Sequence, residues 1–109
     1  YVVEMSDIDH VRSLIKAVPD FPKKGILFQD IFPVFQDPIA VETLINHIVK
    51  QITTTFNEKI DVIVGLDARG FLLGPIIALR LGAAFVPSRK KGKLPGKTIS
   101  AEFVKEYGV

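Results

Sequence analysis

"KIDVIVGLDARGFLLGPIIALRLGAAFVPS", residues 59–88, decides the fold. It opens on a short β-branched run, Lys59 to Leu66, of the kind that fills a buried parallel strand. Asp67-Ala68-Arg69-Gly70 then reads as a turn, and the apolar stretch from Phe71 to Leu81 as a helix that Gly82 closes. Gly74-Pro75 should mark the first turn of that helix or a bend in it, because proline lacks the amide a helix interior uses. "AAFVPS" (83–88) is the next strand. Strand, turn, helix and strand make a βαβ unit, with a right-handed crossover expected. The class is α/β, a parallel sheet flanked by helices.

Toward the amino terminus, Ile8, Val11, Leu14, Ile15 and Val18 recur at helical spacing and predict a helix over 6–18, with Ser6 and Asp9 resembling a capping box. Pro19 and Pro22 stop it, and His10 falls on the solvated face. "DFPKKGILFQDIFPVFQDP" (20–38) is too proline-rich for a helix and reads as an ordered loop with an extended piece at Ile26 to Phe28. Asp37-Pro38 is a helix start, an N-cap followed by proline at the first helical position. Val41, Leu44, Ile45, Ile48, Val49 and Ile52 mark the buried stripe of a helix running to about Phe56. His47 lies off that stripe and reads as a surface histidine, with no second ligand within helical reach. Two parallel strands and three helices amount to half of a doubly wound sheet.

The chain has 109 residues, enough for one domain, and it contains no cysteine, which excludes disulfides and thiolate metal sites. No apolar stretch approaches bilayer length and the first residues do not read as a signal peptide, so a cytoplasmic location is the expectation. Charge is unevenly placed. Residues 68–101 hold seven of the 14 lysines and arginines and none of the 12 acids, so the rest of the chain sums to −5 against a net +2. Five of those cations lie in "SRKKGKLPGK" (88–97). A local basic block on an acidic body points to an anion site rather than to a nucleic-acid groove, which is basic over a wide surface.

Ligands of open α/β sheets bind beyond the carboxyl ends of the strands, where both "GLDARG" and the basic loop fall. Gly65 and Gly70 permit tight turns there. The helix starting at Phe71 offers amides and a partial positive charge, and Arg69 a planar fork suited to phosphate oxygens. The glycine, lysine and hydroxyl spacing of a Walker motif is missing. A plainer reading pairs Asp67 with Arg69 and leaves the basic loop as a solvated sheet edge. Two cationic loops at one edge shift the balance toward a phosphorylated ligand, and repulsion among crowded cations suits a mobile lid.

Four segments, "DFPKKGILFQDIFPVFQDP", "VIVGLDARGFLLGP", "RKKGKLPG" and "EFVKEYG", together resemble the adenine phosphoribosyltransferases of the type I phosphoribosyltransferase family. The resemblance implies a Rossmann-like parallel sheet, incomplete here, with an amino-terminal hood and a basic hairpin loop. It also implies transfer of a phosphoribosyl group from 5-phosphoribosyl 1-pyrophosphate to adenine, giving AMP and pyrophosphate, with Mg2+ bound mainly through substrate and water. Asp67, Ala68 and Arg69 then form the pyrophosphate loop, with a cis peptide between Asp67 and Ala68, where many relatives carry serine at the second position. Arg89, Lys90 and Lys93 are implied as pyrophosphate ligands on the lid, some reaching across a homodimer interface. Ile26, Leu27 and Phe28 are implied as the hood over the purine. Glu106 resembles the family's acid for the adenine proton, with Tyr107 beside it over the pyrophosphate. Taken without the family, Glu106 is an exposed hairpin acid near Lys105. Phe103 and Lys105 stand where tyrosine and leucine are common.

On this reading residues 1–36 are the first helix and hood, 37–88 the helix and βαβ core, and 89–109 the lid of a single domain. The family's acidic strand end and the threonine- and glycine-containing loop for the 5-phosphate do not occur in these residues, which alone are expected to be inactive. Two alternatives stay open. One is a non-catalytic phosphate-binding or dimer-forming fragment; the other is a xanthine-type transferase or a regulator on the same fold.

Overall fold

The computed structural model describes residues 2–101, with side chains from residue 7. Contacts divide the chain into two compact units, Tyr1–Asn57 and Glu58–Val109. This division is separate from the three functional stretches read from the sequence.

The first unit begins with α1 (Val2–Leu14), followed by β1 (Lys16–Pro19), β2 (Leu27–Asp30), the short helix α2 (Phe32–Phe35) and α3 (Pro38–Thr55). The first helix thus starts and ends four residues earlier than expected, and Ser6 is inside it rather than capping it. Its end has local causes. The Ser13 hydroxyl donates to the His10 carbonyl at 2.6 Å, a back-bond that competes with the helix ladder, and Val18 precedes a proline that disfavours helical backbone. Lys16–Pro19 instead pairs antiparallel with β2, Val18 opposite Phe28 and Pro19 opposite Leu27. The extended piece expected at Ile26 to Phe28 is therefore the start of a hairpin strand. Phe21-Pro22, in its connection, is a cis bond.

Asp37 caps α3 as its sequence required, Oδ1 accepting the amides of Ile39 at 3.1 Å and Ala40 at 3.3 Å. Its other oxygen meets His10 Nε2 at 3.0 Å, so His10 is exposed but not merely solvated. That bond, then the Ala40 amide, holds the Asp37 carboxyl below its ordinary range. Between the helices, Val11, Val34 and Ala40 form a buried cluster, with Leu14, Ile15, Phe35, Val41 and Leu44 packed around it. Ile45 is also fully buried, and the rest of the α3 stripe is half-buried.

The second unit is β3 (Val62–Leu66), α4 (Gly70–Leu81) and β4 (Ala84–Ser88), within one to three residues of the expected bounds. The strands are parallel, Val62 opposite Ala84 through Leu66 opposite Ser88. Gly82 ends α4 at φ 69, in the left-handed region, and Pro75 lies inside the helix. Gly65 and Gly70 serve close approach rather than an unusual turn. A Cβ on Gly65 would stand 2.6 Å from the Gly70 carbonyl oxygen and from the Phe85 ring, and one on Gly74 would also strike Phe85. The missing side chains let α4 settle on the strands, with Phe71 edge-on to Phe85 at 6.1 Å. β3 was expected to be buried on both faces. Its Ile63 and Gly65 are covered, but Val64 and Leu66 are 61% and 67% exposed, because this unit supplies one helix and so covers one face. Among the described residues no helix is long and apolar enough to cross a membrane.

Candidate functional site

Parallel pairing fixes where the chemistry-bearing residues fall. Both strands of the second unit end at the same edge, so the turn after β3 and the loop after β4 leave the sheet side by side. The ladder continues one step past the strands, the Asp67 amide donating to the Ser88 carbonyl at 2.9 Å. Beyond it the Asp67-Ala68 peptide is cis, as the resemblance implied.

Side chains then tie the two turns together. Arg89 Nε donates to Asp67 Oδ2 at 3.0 Å, and its Nη1 donates to the Lys93 carbonyl at 3.3 Å. Asp67 is therefore bonded to a cation 22 residues away, a partner that local spacing could not reveal. Both side chains are about a third exposed (35% for Arg89, 31% for Asp67), which places the pair near the upper end for surface ion pairs, about 1 kcal/mol. The Lys93 amide donates to the Lys90 carbonyl at 3.1 Å, and Gly92 at φ 85 supplies the reversal between them.

The structure thus brings Asp67, Ala68 and Arg69 to the edge where Arg89, Lys90 and Lys93 lie. A groove of 460 Å³ opens on the loop side, lined among others by Ser88, Arg89, Lys90, Lys91 and Thr98. Lys91 was not singled out in the sequence, where nothing separates it from its neighbours. The start of α4 differs from expectation. The amides of Phe71 and Leu72 donate to the carbonyls of Ala68 and Arg69 at 3.1 and 3.0 Å, leaving residues 68–70 as the candidate backbone donors for an anion. Residues 98–101 carry no strand where one arm of a hairpin was expected over 98–104, and residues 102–104 of that arm, with Glu106 and Tyr107, lie outside the described residues. Among the described residues no group of three or more His, Asp or Glu is arranged to hold a metal ion.

Ile26, Leu27 and Phe28 belong to the first unit. Leu27 is 59% exposed, whereas Ile26 and Phe28 are half-buried. Ile26 uses both backbone groups locally, donating to the Lys23 carbonyl at 3.2 Å and accepting from the Phe21 amide at 3.0 Å. Phe21 also meets Phe28 edge-on, ring centroids 5.0 Å apart. Phe21 and its neighbour Asp20 were missed in the sequence; the six-residue stretch from Asp20 to Gly25, a turn signal, could have flagged them. A second groove of 390 Å³ lies between α1 and α3 and includes His47, Lys50, Asp9 and Arg12, the last two paired at 3.1 Å. With acid and base interspersed it selects no ligand charge.

Comparison with known proteins agrees with the geometry. The family model described as phosphoribosyl transferase domain matches residues 35–105. The chain is 60% identical over 99 residues to the adenine phosphoribosyltransferase of Yarrowia lipolytica, covering 90% of this chain and 54% of the relative. It resembles the crystal structure of the Saccharomyces cerevisiae adenine phosphoribosyltransferase complexed with an imino-altritol bisphosphate and adenine (TM-score 0.83, 45% identity, 89% of this chain and 58% of that one). It also resembles the Trypanosoma brucei enzyme in complex with AMP, pyrophosphate and ribose-5-phosphate (TM-score 0.81, 28% identity, 94% of this chain and 44% of that one). The chain spans about half the length of the curated relatives it matches.

Proposed function

The chain belongs to the phosphoribosyl transferase domain family, and from that premise we propose that its protein transfers the phosphoribosyl group of 5-phosphoribosyl 1-pyrophosphate to adenine, giving AMP and pyrophosphate. The observation that carries this reading is the Asp67–Arg89–Lys93 linkage, which gathers the cations of two turns at one strand-end edge. The relatives supply the purine: two that are 60% and 54% identical are named adenine phosphoribosyltransferases, and one solved neighbour holds adenine.

In the reaction a purine ring nitrogen forms a bond to the anomeric carbon while the bond from that carbon to pyrophosphate oxygen breaks. The oxygen takes the electron pair, and the purine nitrogen loses its proton. Negative charge grows on the departing diphosphate, so fixed cations stabilise the transition state more than the ground state. Arg69, Arg89, Lys90 and Lys93 are assigned that task, together with the backbone amides of residues 68–70. Arg89 is held by Asp67 through Nε alone, so its remaining guanidinium donors are the ones assigned to the anion. Mg2+ would neutralise part of the same charge through substrate and water. Ile26, Leu27 and Phe28 are assigned to the purine, Glu106 to its proton and Tyr107 to the pyrophosphate. A homodimer completing the lid, and a cytoplasmic location, belong to the same proposal.

The test is AMP formation by the intact protein from adenine, Mg2+ and 5-phosphoribosyl 1-pyrophosphate. Stoichiometric AMP and pyrophosphate are expected, with xanthine and guanine much poorer acceptors. Pyrophosphate binding without any AMP would favour the non-catalytic reading instead.

A further inference from the structure

One side chain closes the tip of the β1–β2 hairpin. Asp20 sits at φ 57, in the left-handed region that non-glycine residues rarely take and that Asn and Asp tolerate best. Its Oδ1 accepts the Gly25 amide at 2.9 Å, and Gly25 itself lies at φ 90. Ile26, the next residue after this ring, has both backbone groups bonded back into it, accepting from Phe21 and donating to Lys23. From within the ring Phe21 meets Phe28 on β2 at an interplanar angle of 69°. Ile26 and Phe28 are therefore fixed by residues that sequence reading passed over.

Stability of the core does not call for this device. Asp20 and Gly25 are exposed and Phe21 is 50% exposed, so the tip buries little apolar surface. What the clasp does fix is the position of the three residues assigned to the purine. An apolar wall ordered before its ligand arrives spares the cost of ordering it on binding.

The geometry points to Asp20 as a positioning residue for purine binding, acting through its clasp on Gly25, with Phe21 as a further aromatic wall that orients Phe28. This rests on the assignment of Ile26 to Phe28 to the purine. Asp20 touches no substrate; it sets the backbone from which those residues project. Phe21 acts through the edge-on contact, which favours one ring orientation over others.

The experiment compares Asp20→Asn, Asp20→Gly and Asp20→Ala in the intact protein, with adenine and 5-phosphoribosyl 1-pyrophosphate as the varied substrates. Asparagine keeps both the left-handed backbone and an accepting oxygen, so D20N should match the parent. Alanine loses both, and D20A should raise the KM for adenine about ten-fold, leaving kcat and the KM for the other substrate in place. Glycine keeps only the backbone and should fall between. Phe21→Leu should raise the adenine KM about three-fold. The inference is overturned if D20N is as impaired as D20A. It is also overturned if D20A leaves adenine KM unchanged, or if both KM values move together with a fall in Tm. In these cases the transferase reading stands, whereas a parent protein that neither binds adenine nor forms AMP would end both.

Discussion

In the hairpin of the first unit, the residues assigned to the purine are held by main-chain bonds, an Asp20 clasp and an aromatic contact. In the second unit, the loop that carries most of the cations assigned to pyrophosphate is tied to its neighbouring turn by one partly exposed ion pair, with a 3.3 Å bond to a carbonyl inside the loop itself. The contrast fits the two ligands proposed. A neutral purine gives weak, undirected attraction, so its wall gains from being ordered in advance. A diphosphate attracts cations strongly over distance, and a loop meant to close over it must first be cheap to move.

The scaffold beneath that loop is tightly packed, and its glycines test that most severely. Gly65→Ala would drive a Cβ to 2.6 Å from the Gly70 backbone oxygen, which has no flexible end to yield. A loss of about 3 kcal/mol in denaturant unfolding of the intact protein is expected. Gly25→Ala has open space around its Cβ but needs φ 90, so it should cost only about 1 kcal/mol and act on the hairpin alone. Equal losses at the two sites would break the distinction between a packed scaffold and a clasped tip.

The cationic loop is sharpened by charge removal. Replacing Lys90, Lys91 or Lys93 singly by alanine should weaken pyrophosphate binding about two- to five-fold each, and raising the salt to about 0.5 M should erase most of the difference. Lys91 belongs in that set because it lines the same groove as Lys90. A single lysine carrying the whole effect would mean a fixed site rather than a gathering loop. Titration calorimetry on the intact protein measures both.

The smallest expected effect lies at the α3 cap, away from either ligand. The native Asp37 carboxyl is held below its ordinary 3.8 by His10 and the Ala40 amide. A depressed native value makes its contribution complete above the unfolded value and lost as pH falls through the native one. Asp37→Asn should therefore lower stability slightly at neutral pH, where the carboxylate contributes, and flatten the acid limb so that the two proteins converge below about pH 4. Urea midpoints measured from pH 7 down to pH 2 check the sign.

Legibility in the sequence followed the range of the interactions. Residues 62–88 were readable because local signals agree there: β-branched strands, a left-handed Gly82 and glycines at the turn. The Asp37-Pro38 start of α3 was readable for the same reason. β1 was not, since Lys16-Ala17-Val18-Pro19 becomes a strand only by pairing with Leu27–Asp30, and four residues continue a helical pattern equally well. α2 hid inside a proline-rich stretch because Pro33 suits a helix's first turn as well as a loop. The site divided likewise. Its cations and glycines were visible, but the Asp67–Arg89 and His10–Asp37 bonds join residues 22 and 27 apart, and the Asp20 clasp depends on a backbone angle.

Arg69 stands at the centre of the functional assignment, since it leads from the turn after β3 into α4, at the edge where both strands end. The most direct test is pyrophosphate binding to the intact protein before and after Arg69→Ala, with adenine binding followed in parallel. Loss of one charge-assisted bidentate contact should weaken pyrophosphate by about 10- to 100-fold and leave adenine within about two-fold. Undiminished pyrophosphate affinity in R69A, or equal losses for both ligands, would contradict a diphosphate grip at this edge.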